Sequence, residues 1–136
     1  MKYLLLLVLT AALLLTGCST PSEVIRVGEP DMEEDGDQGY IVKGHTIVKE
    51  LENKEDVQQV KQIMKNADKI EEPYNHRDEP HDIFLELYAP DNHVAIQRAY
   101  LWYKQEGKAV MMNGDEEYFE VSEGQVETLQ HYLSEE

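Results

Sequence analysis

The sequence predicts an α+β fold, in which an antiparallel sheet of about four to six strands carries two helices on one face. Three observations predict it. Apolar residues alternate with other residues between Ile83 and Tyr88, which is the period of a strand. Turn signals such as Asn113-Gly114 join neighbouring strand segments, so these strands run antiparallel. Two other segments repeat apolar residues at helical spacing, and such helices bury one side against a sheet.

The predicted order begins with one bent strand, or a pair of strands, and a helix. Tyr40–Val42 and Thr46–Val48 are β-prone and are interrupted at Lys43-Gly44-His45. The helix is expected from Lys54 to about Asp68, with Asn53 as its N-cap. Its buried side has apolar residues at helical spacing, namely Val57, Val60, Met64 and Ala67.

Further strands and a second helix complete the order. The strands are expected at Ile83–Tyr88, about Val94–Lys104, Ala109–Met112 and Tyr118–Val121. The final helix begins at Ser122, whose hydroxyl can cap it while Gln125 reaches back as in a capping box. The resulting order, strand, helix, four strands, helix, resembles that of TBP-like folds in element order alone and implies nothing about DNA.

The N-terminus has the pattern of an export signal. Its apolar stretch, Tyr3–Leu15, is too short at about 1.5 Å per residue to cross a hydrocarbon core of ~30 Å. Leu15-Thr16-Gly17-Cys18 resembles the lipobox of bacterial lipoproteins, in which the cysteine is acylated and becomes the mature N-terminus. We expect a signal peptide at 1–17 and lipidated Cys18 on the extracytoplasmic face of the cell membrane. The alternative is an ordinary signal peptide with an incidental cysteine.

The mature chain is expected to consist of a tether and one domain. Residues 18–39 combine the lipidated cysteine with Pro, Gly, Ser and an acidic run, and contain one brief apolar patch, Val24-Ile25-Val27. This composition predicts an acidic flexible tether. Residues 40–136 then form a single α+β domain.

The charge of the chain limits its partners. It has 12 basic and 28 acidic residues and a formal net charge of −16. Binding to a phosphate backbone depends on clustered Lys and Arg, so nucleic acid is excluded as a partner. Cationic partners or metal ions fit this charge better.

A candidate binding face follows from the alternation of the strands. If Leu85, Leu101 and Val121 point toward the helices, their neighbours point the other way. The candidate residues on that other face are Phe84, Tyr88, Arg98, Tyr100, Trp102 and Tyr118. Aromatic residues mixed with a few charges are typical of recognition surfaces, and Trp102→Ala should then weaken binding without unfolding the domain. The alternatives are that a tether, a loop or a second copy covers these aromatic residues, or that a bulge reverses the faces.

Two metal-site patterns are incomplete. Asp31–Asp37 partly resembles a calcium loop, but the twelfth position is Val42 instead of glutamate and no helix precedes the loop. His76, Asp78 and His81 lie in one polar loop, and their spacing matches no metal motif. We therefore predict no metal site and no cofactor, and keep these three residues as weak candidates.

Catalytic patterns are also absent from the sequence. None of the four serines, Ser19, Ser22, Ser122 and Ser134, lies in a nucleophile elbow. Paired carboxylates of the kind that cleave glycosides depend on the fold for their separation, so the many acids alone predict no such site. We expect a protein that is not an enzyme.

Several segments resemble small Bacillus-type lipoproteins of the YhfM-like group. They are the lipobox, the helix ending Met64-Lys65-Asn66-Ala67, the strand Phe84–Tyr88, the Tyr100–Tyr103 segment and the terminal Tyr118–Leu133 unit. The resemblance implies a lipid-anchored α+β domain and no assigned activity. The function expected is a non-enzymatic binding module for an envelope protein partner, the alternative is divalent-metal binding, and a small envelope hydrolase is third.

Overall fold

A computed structural model describes residues 22–36, 39–74 and 79–134. The α+β class is confirmed: within these ranges, one fully antiparallel sheet of seven strands, close to the four to six predicted, is accompanied by two helices. The strands are β1 Val24–Asp35, β2 Gly39–Leu51, β3 Asp68–Ile70, β4 Ile83–Ala89, β5 Val94–Tyr103, β6 Ala109–Asn113 and β7 Tyr118–Val121. The helices are α1 Lys54–Asn66 and α2 Glu123–Leu133. In the sheet the strands follow the order β2-β1-β4-β5-β6-β7-β3.

Strand β1 corrects the predicted tether. Residues 24–35 were expected in a flexible segment, but they form a strand that lies between β2 and β4. Val24, Ile25 and Val27 are almost completely buried. The apolar patch is too short and the acidic run too polar to indicate a strand by themselves. Pairing on both sides, with burial of the patch, stabilises the strand.

The calcium-loop resemblance also falls on β1. Asp31, Glu33 and Asp35 lie along an extended strand, and the Thr46 hydroxyl donates to Asp31 Oδ1 at 2.6 Å. A coordination loop must instead fold its oxygens around one point. The structure therefore contradicts a calcium loop at these residues, while Asp37 lies outside the described residues.

Both helices begin as their sequences predict. Asn53 accepts hydrogen bonds from the backbone of Glu55 and Asp56, which caps α1. The capping box of Ser122 and Gln125 at the start of α2 is present in both directions. Helix α1 ends earlier than expected because Asp68 already belongs to the short edge strand β3, which the sequence analysis missed.

The core lies between the helices and one face of the sheet. The alternation predicted for the strands is confirmed, since Leu85, Leu101 and Val121 are completely buried with residues of both helices. The helical part of this core consists of Val57, Val60, Ile63, Met64, Val126, Leu129 and Leu133. We call the helix-covered side of the sheet the first face and the other side the second face.

The connection from β3 to β4 joins two strands that are far apart in the sheet. β3 lies beside β7 at one edge, whereas β4 lies between β1 and β5. On the second face the Tyr118 hydroxyl donates to Glu72 Oε1 at 3.5 Å, and the Trp102 indole donates to the Glu79 carbonyl at 2.8 Å. Described residues at both ends of the connection therefore pack on the second face.

Candidate functional site

The second face presents its residues in rows that run across the strands. Because β4 pairs with β5 in register, Phe84 faces Tyr100 and Glu86 faces Arg98. One row consists of Gly28, Phe84, Tyr100, Met112 and Tyr118. The next consists of Glu50, Arg26, Glu86 and Arg98. Four of the six predicted residues lie in these rows, namely Phe84, Arg98, Tyr100 and Tyr118. Trp102 follows Tyr100 at the next position of the same face, and the Tyr88 ring lies against the Arg26 guanidinium.

Half of these predicted residues are covered. Phe84, Trp102 and Tyr118 are only 5%, 7% and 8% exposed, whereas Tyr88 and Tyr100 are partly exposed and Arg98 is exposed. Residues of the β3–β4 connection contact Trp102 and Tyr118, as expected if a loop covers these aromatic residues, whereas Phe84 is covered by His45 of strand β2. Trp102 is therefore a packed residue of the closed part, and its replacement by alanine should destabilise the domain, contrary to the expectation from sequence.

A pair of histidines closes the covered half. The Nε2 atoms of His45 in β2 and His81 just before β4 are 2.7 Å apart. His45 stacks on Phe84 with ring centroids 4.2 Å apart. His81 meets the rings of Tyr100 and Trp102 edge-on at 5.0 and 5.9 Å. We name His45 and His81 the histidine clasp.

Burial decides the protonation of the clasp. It lowers the pKa of His45, against an opposing effect of Asp31. The pKa of His81 falls from 6.5 to about 4, chiefly through burial and then through His45, while Asp82 acts in the opposite direction. At neutral pH both imidazoles are therefore uncharged, and one donates its N–H to the other.

Sequence reasoning missed His45. It was visible only as part of the Lys43-Gly44-His45 interruption between two β-prone segments. The structure places it opposite Pro30 in the β1–β2 register and, through the fold, against a residue 36 positions away. No local pattern indicates such a long-range contact.

A charged network borders the open part of the second face. Glu86 is 8% exposed, and its oxygens lie 3.6 Å from Arg26 Nη1 and 3.1 Å from Arg98 Nε. The Arg26 guanidinium also lies 3.6 Å above the centroid of the Tyr88 ring. These contacts fix two guanidinium groups at the surface, where Arg and Tyr commonly contact partner proteins.

Beside this network β5 has a free stretch of edge. The ladder between β5 and β6 ends at Ala99 and Asn113, so β6 does not continue alongside the first residues of β5. A groove of about 670 Å³ occupies that place, between residues 93–98 and 113–115. Val94 and Ile96 are 52% and 53% exposed at its side. We call Arg26, Tyr88 and Arg98 on the second face, together with Val94 and Ile96 at the adjoining edge of β5, the open half of the second face.

The weak metal candidates are not brought together by described residues. His76 and Asp78 lie outside the described part of the chain, and His81 belongs to the clasp. Within residues 22–36, 39–74 and 79–134 there is no group of three or more His, Cys, Asp or Glu side chains placed to hold a metal ion. Divalent-metal binding stays a prediction from the loop sequence.

Comparisons with protein-family models, with curated proteins and with solved structures found no match. No helix among the described residues is long and apolar enough to cross a membrane. The predicted signal peptide and Cys18 lie outside the described residues.

Proposed function

We propose that the protein is a lipid-anchored, extracytoplasmic binding module without enzymatic activity, held on the cell membrane through Cys18. Its α+β domain binds an envelope protein through the open half of the second face. The lipobox at Leu15–Cys18 supports the anchoring. The observation that carries the binding proposal is that apolar, aromatic and guanidinium groups are exposed together beside an unpaired strand edge.

The chemistry of the open half favours an extended protein segment as the bound element. A free strand edge presents backbone donors and acceptors that pair with another strand, and side chains next to it supply specificity. The groove beside Val94–Arg98 gives such a segment room to lie in line with β6. The chain's net charge of −16 favours a partner with a cationic surface through electrostatic steering.

Site-directed photocrosslinking in the native membrane tests this proposal. A photoreactive residue at Ile96 should give one discrete adduct, whereas the same residue at Glu127, exposed on α2, should not. Arg98→Ala should reduce the Ile96 adduct without lowering the melting temperature much, because this guanidinium is largely exposed. Cys18→Ser should move the protein out of the membrane fraction.

Opposite results would reject the two parts of the proposal separately. Equal labelling from Ile96 and Glu127, or no specific adduct from either, contradicts a binding site on the open half. Retention of the Cys18→Ser protein in the membrane contradicts lipid anchoring.

A further inference from the structure

We infer that the histidine clasp is an acid-sensitive closure that keeps the aromatic part of the second face covered, so that acidification extends the binding surface. The extension of the surface rests on the proposed function, whereas the opening of the clasp does not. The inference stands on the position of the two imidazoles, which come from opposite sides and meet above Phe84, Tyr100 and Trp102.

One side of the closure is the outer part of the β1–β2 pair. β1 pairs with β4 only from Val24 to Gly28, and Glu29–Asp35 continue as a two-stranded ribbon with β2. Register shifts in the β1–β2 ladder occur after Val27, just before this ribbon, and after Asp31, within it. A two-stranded ribbon is weakly stabilised by itself, so the contact of His45 with the sheet face matters for its position.

The other side is the segment of residues 79–82. Its end is fixed, since the Asp82 amide donates to the Leu101 carbonyl and the Tyr103 amide donates to Asp82 Oδ2. Toward its start, the Glu79 carbonyl accepts the Trp102 indole N–H and the Glu79 carboxylate pairs with Lys104 at 2.9 Å. His81 lies between these attachments and is the residue that reaches the ribbon.

Protonation acts on the clasp in two steps. With no proton or one proton added, an N–H of one ring can donate to the bare nitrogen of the other. With both rings protonated, two cationic donors face each other at a distance of 2.7 Å and the hydrogen bond is lost. Both cations then gain hydration by leaving the aromatic surroundings.

The surrounding charges do not remove this effect. Asp31 from β1 and Glu86 from β4 favour protonated His45, while Arg98 from β5 disfavours it, and burial outweighs the carboxylates in lowering its pKa. Asp82 favours protonated His81, and burial together with His45 outweighs it.

These pKa shifts determine how the stability of the closed form depends on pH. The closed state holds the pKa of His81 near 4, below the value of 6.5 expected once the ring is released to solvent. The closed form is therefore fully favoured above about pH 6.5 and loses stability as the pH falls toward 4. For this one ring the shift changes the open-to-closed ratio by on the order of a hundredfold.

The single tryptophan provides the measurement. Trp102 is buried under this closure, so acrylamide quenching of its fluorescence in the purified, full-length protein in detergent reports opening. Quenching should be weak at pH 7 and rise steeply between pH 6.5 and 4, while far-UV circular dichroism stays constant. His45→Gln, which keeps hydrogen bonding but cannot become cationic, should open less and at lower pH than the unaltered protein, because burial still disfavours charged His81 but the second cation is gone.

His131→Gln is the matched control, because His131 is exposed on α2 and should leave the acid response unchanged. Three results would overturn the inference: no rise in the unaltered protein, the same rise in His45→Gln, or loss of the dichroism signal at the same midpoint. The Ile96 adduct at neutral pH tests the proposed function separately, so either idea can fail alone.

Discussion

The two faces of the sheet carry different kinds of side chains, although both arise from the same alternation of residues along the strands. On the first face, aliphatic residues of the strands meet those of two helices and form one apolar core. On the second face, aromatic rings, two arginines and a buried glutamate are covered only in part. The first face can stabilise the fold through burial alone. The second face keeps polar groups that must be paired where they are buried, which is typical of surfaces retained for function.

The largest expected effect comes from the first face. Ile25 in β1 is completely buried, and Ile25→Ala should lower the free energy of unfolding by about 2–5 kcal/mol. The matched control is Ile41→Ala in the ribbon, where the residue is 39% exposed and the loss should stay below about 1 kcal/mol. Urea denaturation measures both. Equal effects would mean that the first part of β1 is not part of the core.

An intermediate loss of stability is expected from a change in the charged network of the second face. Glu86→Gln leaves two guanidinium groups beside a neutral amide, so it should destabilise the domain by about 1–2 kcal/mol. This is less than for a fully buried pair because both arginines are partly exposed. The double variant Arg98→Ala/Glu86→Gln should lose less free energy of unfolding than the sum of the losses in the two single variants. Strict additivity in this double-mutant cycle would show that the pair contributes no coupling.

The smallest expected effect is at the open half. Ile96→Ser removes an exposed apolar side chain, so the free energy of unfolding should change by no more than about 0.5 kcal/mol. In Ile96→Ser, a crosslinker placed at Val94 should nevertheless capture the proposed envelope protein less efficiently. A large loss of stability would indicate that Ile96 packs in the core, and the open half would then be smaller than proposed.

Local patterns were sufficient for most elements of the fold. The helices begin at Asn53 and Ser122 because short polar side chains there bond to free backbone N–H groups, which depends on neighbouring residues alone. The alternation through Leu85 and Leu101 likewise assigned both faces correctly. β1 and β3 were missed because their stability depends on strands distant in sequence.

The sequence predicted which residues form the candidate site, but not which of them are exposed. The aromatic residues were placed on one face by their spacing, yet Trp102 and Tyr118 are covered by contacts with Glu79 and Glu72. Such coverage depends on which strands the connection joins, which follows from strand order. Strand order depends on long-range pairing that no short window of sequence contains.

By itself, then, the sequence determined the class of fold, the helix boundaries at their capped ends and the division of residues between two faces, because these follow from backbone geometry and local hydrogen bonding. Only the tertiary structure decided that the predicted tether contains a strand of the sheet, that half of the aromatic face is closed, and that His45 meets His81. Each of these depends on burial and pairing between segments tens of residues apart, and so on the free energy of the whole packed domain.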